Sequence, residues 1–138
     1  MVVSRPVGSA PPTLHETATA RIGLREDGVV IVRIRQGAHQ SPADARENLD
    51  SAVAATSGQR RPLLVDIIGA KGLDAETRHL YTGERLVAGF TALALLVELS
   101  PLGRMMGNVY FRVARPGIPA RLFTDESSAV DWLRGHVE

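Results

Sequence analysis

Two early segments alternate apolar with polar positions: TATARIGLRE (17–26) and VVIVRIRQ (29–36). Alternation with a period of two predicts half-buried strands. Asp27 and Gly28 sit between them. The pair predicts an antiparallel hairpin, because glycine accepts the positive φ that a tight primed turn needs. The pattern then changes. SPADARENLDSAVAATSG (41–58) opens with Ser41 and Pro42 and repeats apolar residues at Ala45, Leu49, Ala52 and Val53. This is helical spacing behind an N-cap serine and a first-turn proline, with Gly58 as the stop.

The next run, RPLLVDIIG (61–69), is apolar almost throughout, as a strand covered on both faces should be. AETRHLYTGERLVAG (75–89) predicts a helix capped by Asp74 and anchored by Leu73, Leu80, Leu86 and Val87, with Gly83 weakening its middle. TALALLVEL (91–99) is a second buried strand. SPLGRMMGNVYFRVAR (100–115) repeats the Ser-Pro helix start, and ARLFT (120–124) is the last strand. DESSAVDWLRGHV (125–137) is the last helix, capped by Thr124 or Asp125, with Ala129, Trp132 and Leu133 facing inward. The expected order is β-β-α-β-α-β-α-β-α. It describes a single α/β domain over residues 17–138, with a mostly parallel sheet and an antiparallel N-terminal hairpin. Residues 1–16 are rich in Pro, Gly, Ser and Thr without periodicity and predict a flexible tail.

A chain of 138 residues is the right size for one core. The absence of cysteine excludes disulfides, thiolate metal sites and cysteine nucleophiles. Fifteen of the sixteen basic residues are Arg, but fifteen acidic residues balance them to a net charge of +1. No single-sign run is present to neutralise a row of phosphates, so nucleic acid is not an expected partner. No apolar run is long enough to span a bilayer, and the first residues lack the organisation of a signal peptide, so the expectation is a cytoplasmic protein.

Chemistry is hard to find. His15, His39, His79 and His136 share no ligand spacing, so neither metal nor cofactor is expected. No nucleophile stands on a strand-to-helix elbow, which argues against an enzyme. GAKG (69–72) holds Lys71, the sole lysine, between a strand and a helix but matches no phosphate-loop pattern. A turn that needs positive φ explains its glycines.

The stretch from Leu63 to Leu80, together with RLFTDESSAVDWL (121–133), resembles the STAS domain, the fold of bacterial anti-sigma-factor antagonists. The chain is most similar to the SpoIIAA-like group of small bacterial proteins, which also evokes the CRAL-TRIO lipid-transfer fold. The resemblance covers roughly residues 17–137. Phosphorylatable members carry, after an apolar residue, an Asp-Ser-Ser-Gly turn whose second serine accepts phosphate from a partner kinase. Laid on this chain without gaps, the apolar residue falls on Leu73 and the aspartate on Asp74. The two serines fall on Ala75 and Glu76, and the glycine on Thr77. Both serines are missing, so the switch does not carry over. What the resemblance implies is a non-enzymatic regulatory or protein-interaction module of constitutive recognition, with Lys71, Asp74, Glu76 and Thr77 as partner-binding residues. Glu76 would be a fixed negative charge where the family places a phosphate.

One segment leaves a second reading open. Arg104, Met105, Met106, Asn108, Val109, Tyr110 and Phe111 form an apolar band with a polar rim, wider than one sheet face needs. Cover from the chain's own loops, a homodimer surface and a cleft for a lipid or other apolar ligand are the alternatives, and methionines suit adaptable contact of any kind.

Overall fold

The alternating segments pair as expected, but the turn between them is longer than a two-residue primed turn. In the computed structural model, which describes residues 13–73, 75–80, 84–101, 105 and 117–137, strand β2 (Ala20–Leu24) runs antiparallel to β3 (Val30–Ile34). The Arg25 N–H donates to the Val29 carbonyl at 2.9 Å, enclosing Glu26, Asp27 and Gly28. Gly28 takes the positive φ, at +90°. Asp27 accepts from Arg25 Nε at 3.1 Å, and this bond holds the longer loop.

The tail boundary also moves. Thr13–Glu16, expected to be tail, form strand β1 antiparallel to β2, with His15 opposite Ile22. Four residues, three of them polar, carry too little pattern to announce an edge strand. The rest of the expected tail, residues 1–12, lies outside the described residues.

Ser41 caps helix α1 (Pro42–Ala55), where Asp44 completes a reciprocal capping box. Strands β5 (Arg61–Asp66), β7 (Phe90–Leu96) and β8 (Ala120–Phe123) follow β3 in parallel, giving the sheet order β1-β2-β3-β5-β7-β8. A two-stranded parallel ladder, β4 (His39–Gln40) with β6 (Gly72–Leu73), stands apart from this sheet. The predicted helix 75–89 is described as two pieces, α2 (Ala75–Leu80) and α3 (Glu84–Gly89). Helix α4 (Glu126–Arg134) is capped by Asp125, which accepts from the Ser128 N–H at 2.8 Å.

Two apolar layers fill the domain. On one face Ala20, Ile22, Val30, Leu63 and Leu93 meet Ala52 of α1 and Leu86 of α3. On the other, Ile31, Leu64, Ala92 and Ala94 meet Ala129, Val130 and Leu133 of α4. Every residue of β7 is buried, which is why its sequence shows no alternation. Each fully buried Leu or Phe here stabilises the fold by about 1.5–3 kcal/mol relative to exposure.

Charges clasp α4 at both ends. Arg33 of β3 holds Glu126 through two bonds of 2.8 Å and reaches Asp66 at 3.0 Å. Arg134 donates to Asp27 at 3.0 Å. The hydrogen bonds from Arg33 hold the Glu126 carboxyl below its ordinary value of 4.5, outweighing the effect of burial. Burial raises the pKa of Asp27, but the bonds from Arg25 and Arg134 more than reverse it. A carboxyl with a depressed folded pKa stabilises the fold above its unfolded value, and loses that contribution as pH falls toward the folded one. The melting temperature therefore drops as pH falls below about 4.5. Glu126→Gln flattens part of that slope in pH-resolved thermal melts; an unchanged slope would remove the clasp from the account.

Candidate functional site

The corner between β5 and β6 is held by a set of hydrogen bonds, with Ile67 and Ala70 packed against the core. Asp66, the last residue of β5, accepts from the Ile68 N–H at 2.9 Å. The Ala70 N–H closes a turn on the Ile67 carbonyl at 3.0 Å, with Gly69 at φ +83° in its third position. Positive φ at that position is what a type II turn requires. A Cβ on Gly69 would also lie 3.1 Å from Gln36 Cγ, so two constraints select glycine.

Neighbouring loops grip the corner on both sides. From the β3–β4 loop, the Gly37 N–H donates to the Gly69 carbonyl at 2.7 Å, and the Lys71 N–H donates to the Ala38 carbonyl at 2.8 Å. From the loop after β7, Glu98 accepts from the Gly69 N–H at 3.3 Å. The C-terminal ends of three parallel strands thus meet in one connected surface, the end of an open α/β sheet where loops commonly carry binding residues.

That surface exposes apolar side chains. Ile68 is 41% exposed and Leu99 is 75% exposed, and each adjoins a partner of the Gly69–Glu98 bond. Met105, in the segment that leaves this end of β7, is 55% exposed. Lys71, Glu76 and Glu98 are also exposed. Among the described residues neither Lys71 nor Glu76 has an ion-pair partner.

The expected partner-binding residues divide. Lys71 and Glu76 are exposed, and Asp74 lies outside the described residues. Thr77 is corrected: it is fully buried, with its hydroxyl directed at the Gln40 carbonyl at 3.4 Å. A residue one position after an exposed one on a helix turns through about 100°, and Thr77 turns inward. Its side chain is closed to solvent in the folded protein. Of the apolar band, Met105 is described; Arg104, Met106, Asn108, Val109, Tyr110 and Phe111 lie outside the described residues.

Thr77 belongs to a buried polar chain. Asn48 of α1, 1% exposed, donates to Thr19 Oγ1 at 2.9 Å and to Gln40 Oε1 at 3.1 Å, and accepts from Thr17 Oγ1 at 2.5 Å. Gln40 carries the chain to Thr77 and so to α2. The network ties the helix that presents Glu76 to the β1–β2 connection. Elsewhere, an open cavity of about 400 Å³ lies between the first hairpin and the end of α1, lined by His15, Ile22, Leu24, Ala54 and Ala55 among others. No described helix is long and apolar enough to cross a membrane.

Ile68 and Leu99 were not legible as site residues. Both sit inside apolar runs, DIIG and LLVEL, that read as buried strand. The signal available for Ile68 was its place beside Gly69, where a strand must already have ended.

Residues 23–137 match the family described as Domain of unknown function (DUF7793). Among solved structures, the chain is similar to the crystal structure of an uncharacterized protein from the DUF3478 family with a SpoIIAA-like fold, from Shewanella loihica PV-4. The two share 17% identity and a TM-score of 0.58, over 91% of this chain and 99% of that one. That likeness shows the SpoIIAA-like fold. No curated protein matches the chain.

Proposed function

The chain belongs to the DUF7793 family, and from its SpoIIAA-like fold and its own surface we propose a non-enzymatic, regulatory protein-interaction module. Its recognition face is the end of the sheet around the β5–β6 corner. The observation that carries the reading is the exposure of Ile68 and Leu99 on two loops joined by the Gly69–Glu98 bond. Exposed apolar residues on a hydrogen-bonded, preformed corner, rimmed by charges, suit a protein partner: the apolar centre supplies affinity and the rim supplies orientation. Glu76 stands exposed on the first turn of α2, so a partner meets one permanent negative charge there. The missing serines and the burial of Thr77 both favour constitutive recognition.

The alternative, a binding domain for a lipid or other apolar molecule, rests on the band from Arg104 to Phe111. Met105, its described member, is exposed rather than enclosed. That favours a surface over a pocket.

Rim charges should act on the association rate and on its salt dependence. Lys71→Glu and Glu76→Lys each weaken the complex isolated from the native host by about three- to tenfold, with a changed salt dependence and an unchanged melting temperature. Surface plasmon resonance over a salt series measures this. If Glu76→Ala and Glu76→Ser also leave binding untouched, the fixed-charge role of Glu76 is lost.

A further inference from the structure

Strand β8 ends the sheet at the side opposite β1. The Pro119 carbonyl accepts from the Leu93 N–H and the Phe123 carbonyl from the Val97 N–H, each at 2.9 Å. Since main-chain groups alternate sides along a strand, Ala120 and Leu122 direct their N–H and C=O groups to the outer edge. Among the described residues no strand pairs with that edge, and an unpaired edge is a template for another strand unless something blunts it.

The side chains beside that edge have a defined chemistry. Arg121 is exposed, and its guanidinium lies 5.2 Å from the centre of the Phe123 ring and 5.8 Å from that of Trp132. Phe123 and Trp132 are themselves 5.7 Å apart, and His136 lies 4.6 Å from Trp132. Among the described residues, Arg121 has no carboxylate partner, whereas Arg25, Arg33, Arg35 and Arg134 all do. A cation held over aromatic faces with its hydrogen-bond donors unused is oriented for an incoming anion.

We propose that β8 and this aromatic shelf form a second docking edge, whose partner is an extended acidic segment of another protein that adds to β8 as a further strand. The main chain of the segment bonds Ala120 and Leu122. Its alternate side chains fall on the Arg121–Phe123 face, where a carboxylate meets Arg121 and an apolar neighbour covers Phe123 and Trp132. Main-chain bonding gives affinity and alternate side chains give selectivity. This edge shares no residue with the corner around Gly69, so the proposal stands independently of the reading above.

The test uses the full chain and three probes: a capped hexapeptide alternating Glu and Val, its Lys and Val counterpart, and a short oligothymidine strand. Trp132 is the only tryptophan, so its fluorescence reports the shelf directly, and amide chemical shifts report the edge. Saturable binding of the Glu and Val peptide is expected, with shifts at Ala120 and Leu122 and with the Lys and Val peptide weaker. Arg121→Glu reverses that preference and weakens the acidic peptide by at least about fivefold. Ala120→Pro removes an outward N–H at the first position of an edge strand, where proline is tolerated, and abolishes binding while the melting temperature holds. Equal binding of the two peptides, binding unaffected by Arg121→Glu, or no saturable binding of either would overturn the proposal. So would binding of the oligothymidine alone, which would make the shelf a base-stacking surface.

Discussion

Asn48→Ala destabilises the protein by about 3 kcal/mol, the largest effect expected from any single polar substitution. The side chain is 1% exposed and holds Thr17, Thr19 and Gln40 at once. Alanine removes bonds to three other residues in a space closed to water, and a buried polar group left unsatisfied costs about 1–3 kcal/mol. The fall in melting temperature is roughly 10 °C for a domain of this size. Glu47→Ala is the control. Glu47 is exposed and accepts one long bond of 3.4 Å from the Ala18 N–H, so its loss stays within about 0.5 kcal/mol. The effect also reaches α2, because Gln40 accepts the Thr77 hydroxyl through its main chain. Hydrogen exchange at the amides of α2 therefore speeds up in Asn48→Ala beyond the global change. Global destabilisation with α2 protected as before would show that the network does not position that helix.

The second large effect is on recognition. Replacing Ile68 and Leu99 together by aspartate weakens the partner complex by about a hundredfold or more, since truncation of a central apolar anchor costs about 2 kcal/mol or more. Folding is nearly untouched, because both side chains are exposed in the free protein. The two changes separate stability from recognition: one weakens the fold from its interior, and the other alters the surface with the fold intact. A double variant that binds normally would move the recognition face elsewhere.

Much of the fold was legible because its signals are local and physical. Ser41 and Pro42 start α1 where the sequence says, Asp125 caps α4, and the apolar runs become the doubly covered strands β5 and β7. The parts that escaped depend on long-range pairing. Strand β1 is defined by its ladder with β2, and the β4–β6 ladder joins His39 to Gly72 and Gln40 to Leu73 across more than thirty residues. No periodicity announces a two-residue strand.

The residues of the proposed site differ in how far the sequence announced them. Of the two glycines around Lys71, Gly69 takes the positive φ that the turn requires, with little room for a Cβ beside Gln36, whereas Gly72 lies in strand β6. Thr77 looked like an available hydroxyl because sequence alone does not say which side of a short helix faces in. Ile68 and Leu99 looked like core because exposure at the end of a strand depends on the loops that neighbour it. Arg121 was hidden for a related reason: its two aromatic partners lie on different elements, β8 and α4.

In the proposed reading, the corner around Gly69, with Ile68 and Leu99, is where this protein meets another. Native mass spectrometry of the protein isolated gently from its own host, side by side with the Ile68→Asp, Leu99→Asp double variant, tests it most directly. The account predicts a heterocomplex for the unaltered chain and bare chain for the variant. A heterocomplex that survives the double substitution, or a chain that carries a lipid-sized adduct and no protein, would contradict it.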